Sequence, residues 1–204
     1  MGMESLIRVV DDARGRGWTI EGSVSDEQIA FLENVTRASS ARTIAEIGFN
    51  AGFSSFAFLS AAPAAHVTSF DLVEHEYVTM AKEFMDGEFP GRHTLVPGDS
   101  RETVPRFAQE GHGTPFDLIF IDGGHTYEVA IADIRNMRAC ADENTIVVFD
   151  DLLPHKPWGP DPVRAWGDAI ADGLVVQTGL FADGVEVDEV GPEARRGWAV
   201  GRYL

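Results

Sequence analysis

"TIAEIGFNAGFSS", residues Thr43 to Ser55, is an apolar run ending in Glu46-Ile47-Gly48, with a second glycine, Gly52, before the chain turns apolar again. A strand giving way to a glycine-bearing loop and a helix start is a backbone cradle for a ligand. Its residues exclude the ordinary phosphate loop and give a dinucleotide site little support. A phosphate loop of the form G-x-x-x-x-G-K-[ST] needs a lysine, and this segment closes on Phe53-Ser54-Ser55. The dinucleotide fingerprint G-x-G-x-x-G is also absent, because the spacing is Gly48-x-x-x-Gly52. A nicotinamide-dependent oxidoreductase is therefore disfavoured.

Beyond this segment, short apolar runs alternate with helical patterns. The strand candidates are "TIAEIG" (43–48), "HVTSFD" (66–71), "HTLVPGD" (93–99), "DLIFID" (117–122) and "TIVVFD" (145–150). Between them "FSSFAFLSAA", "HEYVTMAKEFM", "SRETVPRFAQE" and "TYEVAIADIRNMRA" read as helices. Strands separated by helices imply parallel βαβ units and an α/β sheet covered on both faces. Residues 1–40 read as a helical cap. Its clearest helix is "SDEQIAFLENVTRA", with Ser25 as N-cap, Gln28 three residues on, and "EGSVS" (21–25) as the preceding turn. Residues 41–151 form the core. Residues 152–204 add the loop begun at "DLLPHKPWGPDP", a helix "VRAWGDAIA" and two strands, "LVVQTGLF" and "GWAVGRYL". The whole reads as a single domain.

Acids gather at one edge of this sheet. Asp71, Asp99, Asp122 and Asp150 fall at or just after strand ends, and Glu46 lies near the end of the first strand. Ligands of open parallel sheets bind outside the carboxyl ends of the strands. Asp71 suits a ribose diol, Asp99-Ser100 an adenine edge, and Glu46 the amine of an amino-acid portion. Those needs describe S-adenosylmethionine, which has adenosine and a zwitterionic tail but no phosphate.

"AEIGFNAGFSS", "SFDLVE", "GDSRETVP", "FDLIFIDGGHTYEVAIAD" and "IVVFDD" together resemble the successive motifs of class I S-adenosylmethionine-dependent methyltransferases. Within that class they are similar to the small bacterial O-methyltransferases related to catechol and macrocin enzymes. The likeness runs from Thr43 to Asp151. It implies a Rossmann-like, mostly parallel seven-stranded sheet of order 3-2-1-4-5-7-6 with strand 7 antiparallel. The cofactor contacts it implies are Glu46, Gly48, Phe49, Asn50, Gly52, Ser54, Asp71, Asp99, Ser100 and Asp122.

In that strand order Asp122 and Asp150-Asp151 converge, since neighbouring strands lie about 4.8 Å apart. Crowded carboxylates repel unless protonated, hydrogen-bonded or bound to a cation, and oxygen ligands suit Mg²⁺. The resemblance implies Asp122, Asp150 and Asp151 as ligands of such an ion. It also places His125 where the catechol enzymes carry a lysine base, so the imidazole is the expected acceptor of the substrate proton. His155 and Lys156 are the alternatives; His66, His75, His93 and His112 are read as bland. Trp158 and Trp166 either wall an acceptor pocket or pack the C-terminal segment. The reading is an O-methyltransferase of a small, diol-like hydroxyl compound. Metal-independent N- or C-methylation and a non-catalytic cofactor-binding protein are the alternatives.

The formal net charge of −17 argues against nucleic acid and anionic membranes as partners. No apolar run reaches the roughly 20 residues that span a bilayer. The N-terminus carries no secretion-type cleavage pattern. The sole cysteine, Cys140, cannot form an internal disulfide, so a cytoplasmic setting is expected. A homodimer is one way to cover the acceptor.

Overall fold

The computed structural model describes residues 2–20, 24–111 and 115–204. Most of the turn expected over 21–25, and His112, lie outside the described residues. The elements alternate as the sequence pattern requires. Two helices, α1 (Met3–Gly15) and α2 (Asp26–Ser39), lead into β1 (Thr43–Ile47), α3 (Phe53–Ala61) and β2 (His66–Asp71). Next come α4 (Glu76–Glu88), β3 (His93–Pro97), α5 (Ser100–Gln109), β4 (Leu118–Ile121) and α6 (Tyr127–Met137). The chain ends with β5 (Ile146–Phe149), α7 (Pro160–Ala171), β6 (Val175–Ala182), β7 (Val185–Glu186) and β8 (Gly197–Tyr203).

The sheet order is β3-β2-β1-β4-β5-β8-β6-β7. Strands β1 to β5 pair in parallel, and β8 runs antiparallel between β5 and β6. This is the anticipated 3-2-1-4-5-7-6 pattern plus one short strand. The addition is Val185–Glu186, which pairs with the end of β6 from within the polar stretch between the last two long strands.

Strand alternation explains the two-faced burial. Along β4, Leu118 and Phe120 join the core beneath α1–α4, while Ile119 and Ile121 join the core beneath α5–α7. Covering both faces removes all four side chains from water, as an uninterrupted apolar run demands. The same alternation directs Glu46, two residues after Ile44, toward the α3 face. Trp166 is packed in the second core, stacked on Phe149 at 5.3 Å, with its indole N–H donated to Gln177 Oε1 at 2.8 Å. Of its two readings, packing is the one the fold adopts. No helix among the described residues is long and apolar enough to cross a membrane.

Candidate functional site

The carboxyl edge of β1–β4 opens into a cleft of about 290 Å³. Its wall includes Gly48, Asn50, Asp71, Asp99, Ser100 and Asp122, six of the residues read from the sequence. Phe49, Gly52 and Ser54 do not line it, and neither does Glu46. His75, Tyr77, Arg101 and Gly123-Gly124 complete much of the wall.

Gly48 sits at φ +93°, and a Cβ there would come within 2.0 Å of the Asp122 carbonyl oxygen. The first glycine is thus required by the close approach of β1 to β4, whatever occupies the cleft. Gly52, at φ +81°, N-caps α3, and a Cβ would meet the Phe49 ring at 3.1 Å. Phe49 itself is buried in the core.

Asp71 shapes the loop. Its Oδ2 accepts the Asn50 N–H at 2.9 Å and its Oδ1 the Val73 N–H at 2.7 Å. Both partners hold positive φ, 49° for Asn50 and 57° for Val73. A β-branched residue in that region is strained and needs such a tether. Asp99 N-caps α5 through the Arg101 N–H at 2.9 Å and also pairs with the Arg101 guanidinium at 2.5 Å. That side-chain bond, with the guanidinium charge, holds the Asp99 carboxyl below its ordinary value.

Glu46 is enclosed beneath α3 instead of facing the cleft. It accepts the hydroxyls of Ser54, Ser55 at 2.5 Å and Ser69 at 2.6 Å, the last from its register partner on β2. Burial pushes its pKa up, and the three hydroxyls oppose that rise. With the Ser69 proton given to Glu46, the Ser69 oxygen accepts from His93 Nε2 at 3.0 Å. Burial, with a smaller contribution from Lys82, lowers the His93 pKa to about 3. His93 is therefore a neutral member of a buried network. His66 bonds the Thr94 hydroxyl at 2.8 Å, and His75 stacks on Tyr77 at 5.1 Å.

Asp133 on α6 is a further site residue, outside those the sequence motifs single out. It is fully buried, accepts the Ser100 hydroxyl at 2.6 Å through Oδ1, and leaves Oδ2 without a protein partner beside Gly123. Burial raises its pKa from 3.8 to about 7. A raised carboxyl pKa means the folded state holds the proton more tightly than the unfolded chain. That stabilisation is complete below about pH 4 and is lost as pH rises through about 7. Asp133→Asn keeps the Ser100 acceptor and removes the titration. Its melting temperature relative to wild type is expected to climb from pH 5 to pH 8; a pH-independent difference would refute this.

Next to the cleft, one ligand atom from each of Asp122, His125 and Asp151 lies within 4.8 Å of the others. His125 Nε2 meets Asp151 Oδ2 at 2.7 Å. That hydrogen bond raises the His125 pKa against the opposing effect of burial, aided by the charges of Asp151 and Asp150. Asp122 is raised well above its usual value by burial first, then by the charges of Asp150, Asp151 and Glu46. Asp150 is not in this converging set. It is 4% exposed, and burial followed by the Asp151 charge lifts it to about 7. Its Oδ2 accepts Gln28 Nε2 from α2 at 2.5 Å, and its Oδ1 has no protein partner. Asp151 holds φ +61°, a left-handed turn that aims its carboxylate back at His125. His155 is exposed and bonds the Ala194 carbonyl at 3.0 Å; Trp158 is 45% exposed.

A family model described as a methyltransferase domain matches residues 45–152. The chain belongs to the methyltransferase-domain family. Among curated proteins it is 30% identical over 115 residues to one named "Putative O-methyltransferase" from Mycobacterium leprae (strain Br4923), covering 54% of this chain and 50% of that protein. A namesake from Mycobacterium avium (strain 104) is 35% identical over 103 residues, covering 50% of this chain and 45% of that one. The chain therefore spans about half the length of the curated relatives it matches. Among solved structures, the O-methyltransferase of Bacillus cereus in complex with S-adenosylhomocysteine superposes with TM-score 0.80 at 18% identity, covering 98% of this chain and 91% of that one. The Streptomyces achromogenes O-methyltransferase TomG, of tomaymycin synthesis, in complex with S-adenosylmethionine, gives 0.77 at 20% identity, covering 98% and 90%. At such identities these two show the shared fold.

Proposed function

We propose that the chain is an S-adenosylmethionine-dependent O-methyltransferase acting on a hydroxyl of a small, diol-like molecule with the help of a divalent cation. The observation that carries this reading is the adjacency of the Gly48–Asp71–Asp99 cleft to the Asp122–His125–Asp151 cluster, with Asp122 belonging to both. The O-methyltransferase names of its relatives point the same way.

S-adenosylmethionine would supply an electrophilic methyl group on its sulfonium. Asp71 would accept the ribose hydroxyls, and Asp99 with Ser100 would meet the adenine edge. The residues at the cluster fit a hard divalent ion: the charges of Asp150 and Asp151 raise the Asp122 pKa, and a buried carboxylate oxygen of Asp150 is unpartnered. Asp122 and Asp151 would hold it, with Asp150 beside them. Such an ion lowers the pKa of a bound hydroxyl and offsets carboxylate charge.

His125 would take the acceptor proton, and Asp151 orients its imidazole. The Asp151 hydrogen bond raises the His125 pKa, and the charge of a bound cation would oppose that rise. Holding oxygen, methyl carbon and sulfur in line would supply much of the acceleration. A metal-independent methyltransferase is the second reading, favoured by the His125–Asp151 hydrogen bond, which gives Asp151 a partner without a cation.

The test is methyl transfer from labelled cofactor to a panel of catechols, sugars and hydroxy acids, with Mg²⁺ or with EDTA. Turnover of a diol that EDTA abolishes and Mg²⁺ restores is expected. Turnover indifferent to EDTA would remove the metal from the mechanism.

A further inference from the structure

We propose that Gln28, on the N-terminal helix α2, is a positioning residue for the acid cluster. The inference rests on the metal reading above and adds to it a residue outside the core motifs. Gln28 is 2% exposed, a polar side chain buried on α2. A buried amide is costly unless hydrogen-bonded, and packing alone is better served at such a site by Leu or Met. Its Nε2 donates to Asp150 Oδ2 at 2.5 Å across 122 residues of sequence. A donor held against a carboxylate is the stronger kind of hydrogen bond and fixes the acceptor's rotamer.

The other oxygen of the same carboxylate supplies the second observation. Asp150 Oδ1 is buried and has no protein partner, and Asp150 lines a small void together with Asp122, His125 and Asp151. Gln28 therefore occupies one oxygen of Asp150 and leaves its mate for the cluster. Because the amide is neutral, it orients the carboxylate without cancelling the charge a cation needs. A lysine or arginine at this position would cancel it.

Helix α2 is anchored where it delivers this amide. Ser25 Oγ accepts the Gln28 backbone N–H at 3.2 Å, and Glu27 pairs with Arg195 at 3.8 Å. The turn after β6 closes on the same helix end: a Cβ on Gly184 would meet Glu27 Cβ at 2.9 Å. Ser25 thus caps the backbone of Gln28 while the Gln28 side chain is released to reach Asp150.

The probe is Mn²⁺, titrated into cofactor-saturated wild type and Gln28→Met and followed by electron paramagnetic resonance of the free ion. Methionine matches the volume of glutamine and lacks the donor. Gln28→Met is expected to bind Mn²⁺ ~10-fold or more weakly, the usual range for losing an outer support of a ligand. Its S-adenosylmethionine affinity should stay within about two-fold of wild type. Unchanged Mn²⁺ affinity would overturn the inference alone, as would an equal loss of cofactor and Mn²⁺ binding, which marks a merely structural role. Wild type that takes up no Mn²⁺ would overturn the metal reading and this inference together. Should Gln28→Met not fold, the side-chain amide protons of Gln28 in wild type are expected to shift in the NMR spectrum on adding Mg²⁺. Amide signals that do not move would overturn the inference.

Discussion

Asp151→Ala is expected to lower divalent-dependent methyl transfer by about 10²- to 10³-fold, the few kcal/mol that a metal's charge stabilisation supplies. Asp151 separates the two halves of the site better than Asp122 does. It belongs to the converging cluster but not to the cleft wall, whereas Asp122 belongs to both. Cofactor affinity should therefore survive within a few-fold. The substitution also takes away the hydrogen bond that raises the His125 pKa. Alanine in the left-handed conformation costs on the order of 1–2 kcal/mol, partly offset by relief of repulsion from Asp150 and Asp122. Steady-state kinetics with and without Mg²⁺, beside calorimetric cofactor titration, measure both quantities. Equal loss of turnover and cofactor binding would mean that Asp151 supports the cleft instead.

Gly48→Ala has the largest expected effect on stability. The new Cβ would lie 2.0 Å from a backbone oxygen at φ +93°, and neither the strand end nor Asp122 can yield without breaking sheet pairing. A loss of more than about 4 kcal/mol is expected, the range reserved for named steric faults. In a domain of this size that lowers the melting temperature by roughly 8–16 °C. Gly167 is the control: it lies on the exposed face of α7 with open space where a Cβ would go. Gly167→Ala should stabilise by about 0.5–1 kcal/mol. Thermal melts of the two variants therefore move in opposite directions.

The sheet was legible because its signals are local. Continuous apolar strands such as Leu118–Ile121, spaced by amphipathic helices, admit few arrangements other than a covered parallel sheet. Asp71, Asp99 and Asp122 were legible for a related reason: they end strands, so topology carries them to one edge. Glu46 shows the limit of that reasoning. Strand alternation turns its side chain under α3, where three serines enclose it, and an alternation count from Ile44 would have signalled this. Gln28 and Asp133 were hidden differently. Each is a polar residue in phase with the apolar stripe of its helix, Gln28 with Leu32 and Asp133 with Ala130 and Met137. A buried-face polar residue is a usable signal, but its partner lies far along the chain and emerges only after folding. Val185–Glu186 is too short to announce itself as a strand.

Isothermal titration of the wild-type chain with S-adenosylmethionine, repeated with Asp71→Ala, tests the central assignment of the cleft most directly. Saturable one-to-one binding to wild type, severely weakened in Asp71→Ala, is the predicted result. No binding to wild type, or binding that Asp71→Ala leaves untouched, would contradict it.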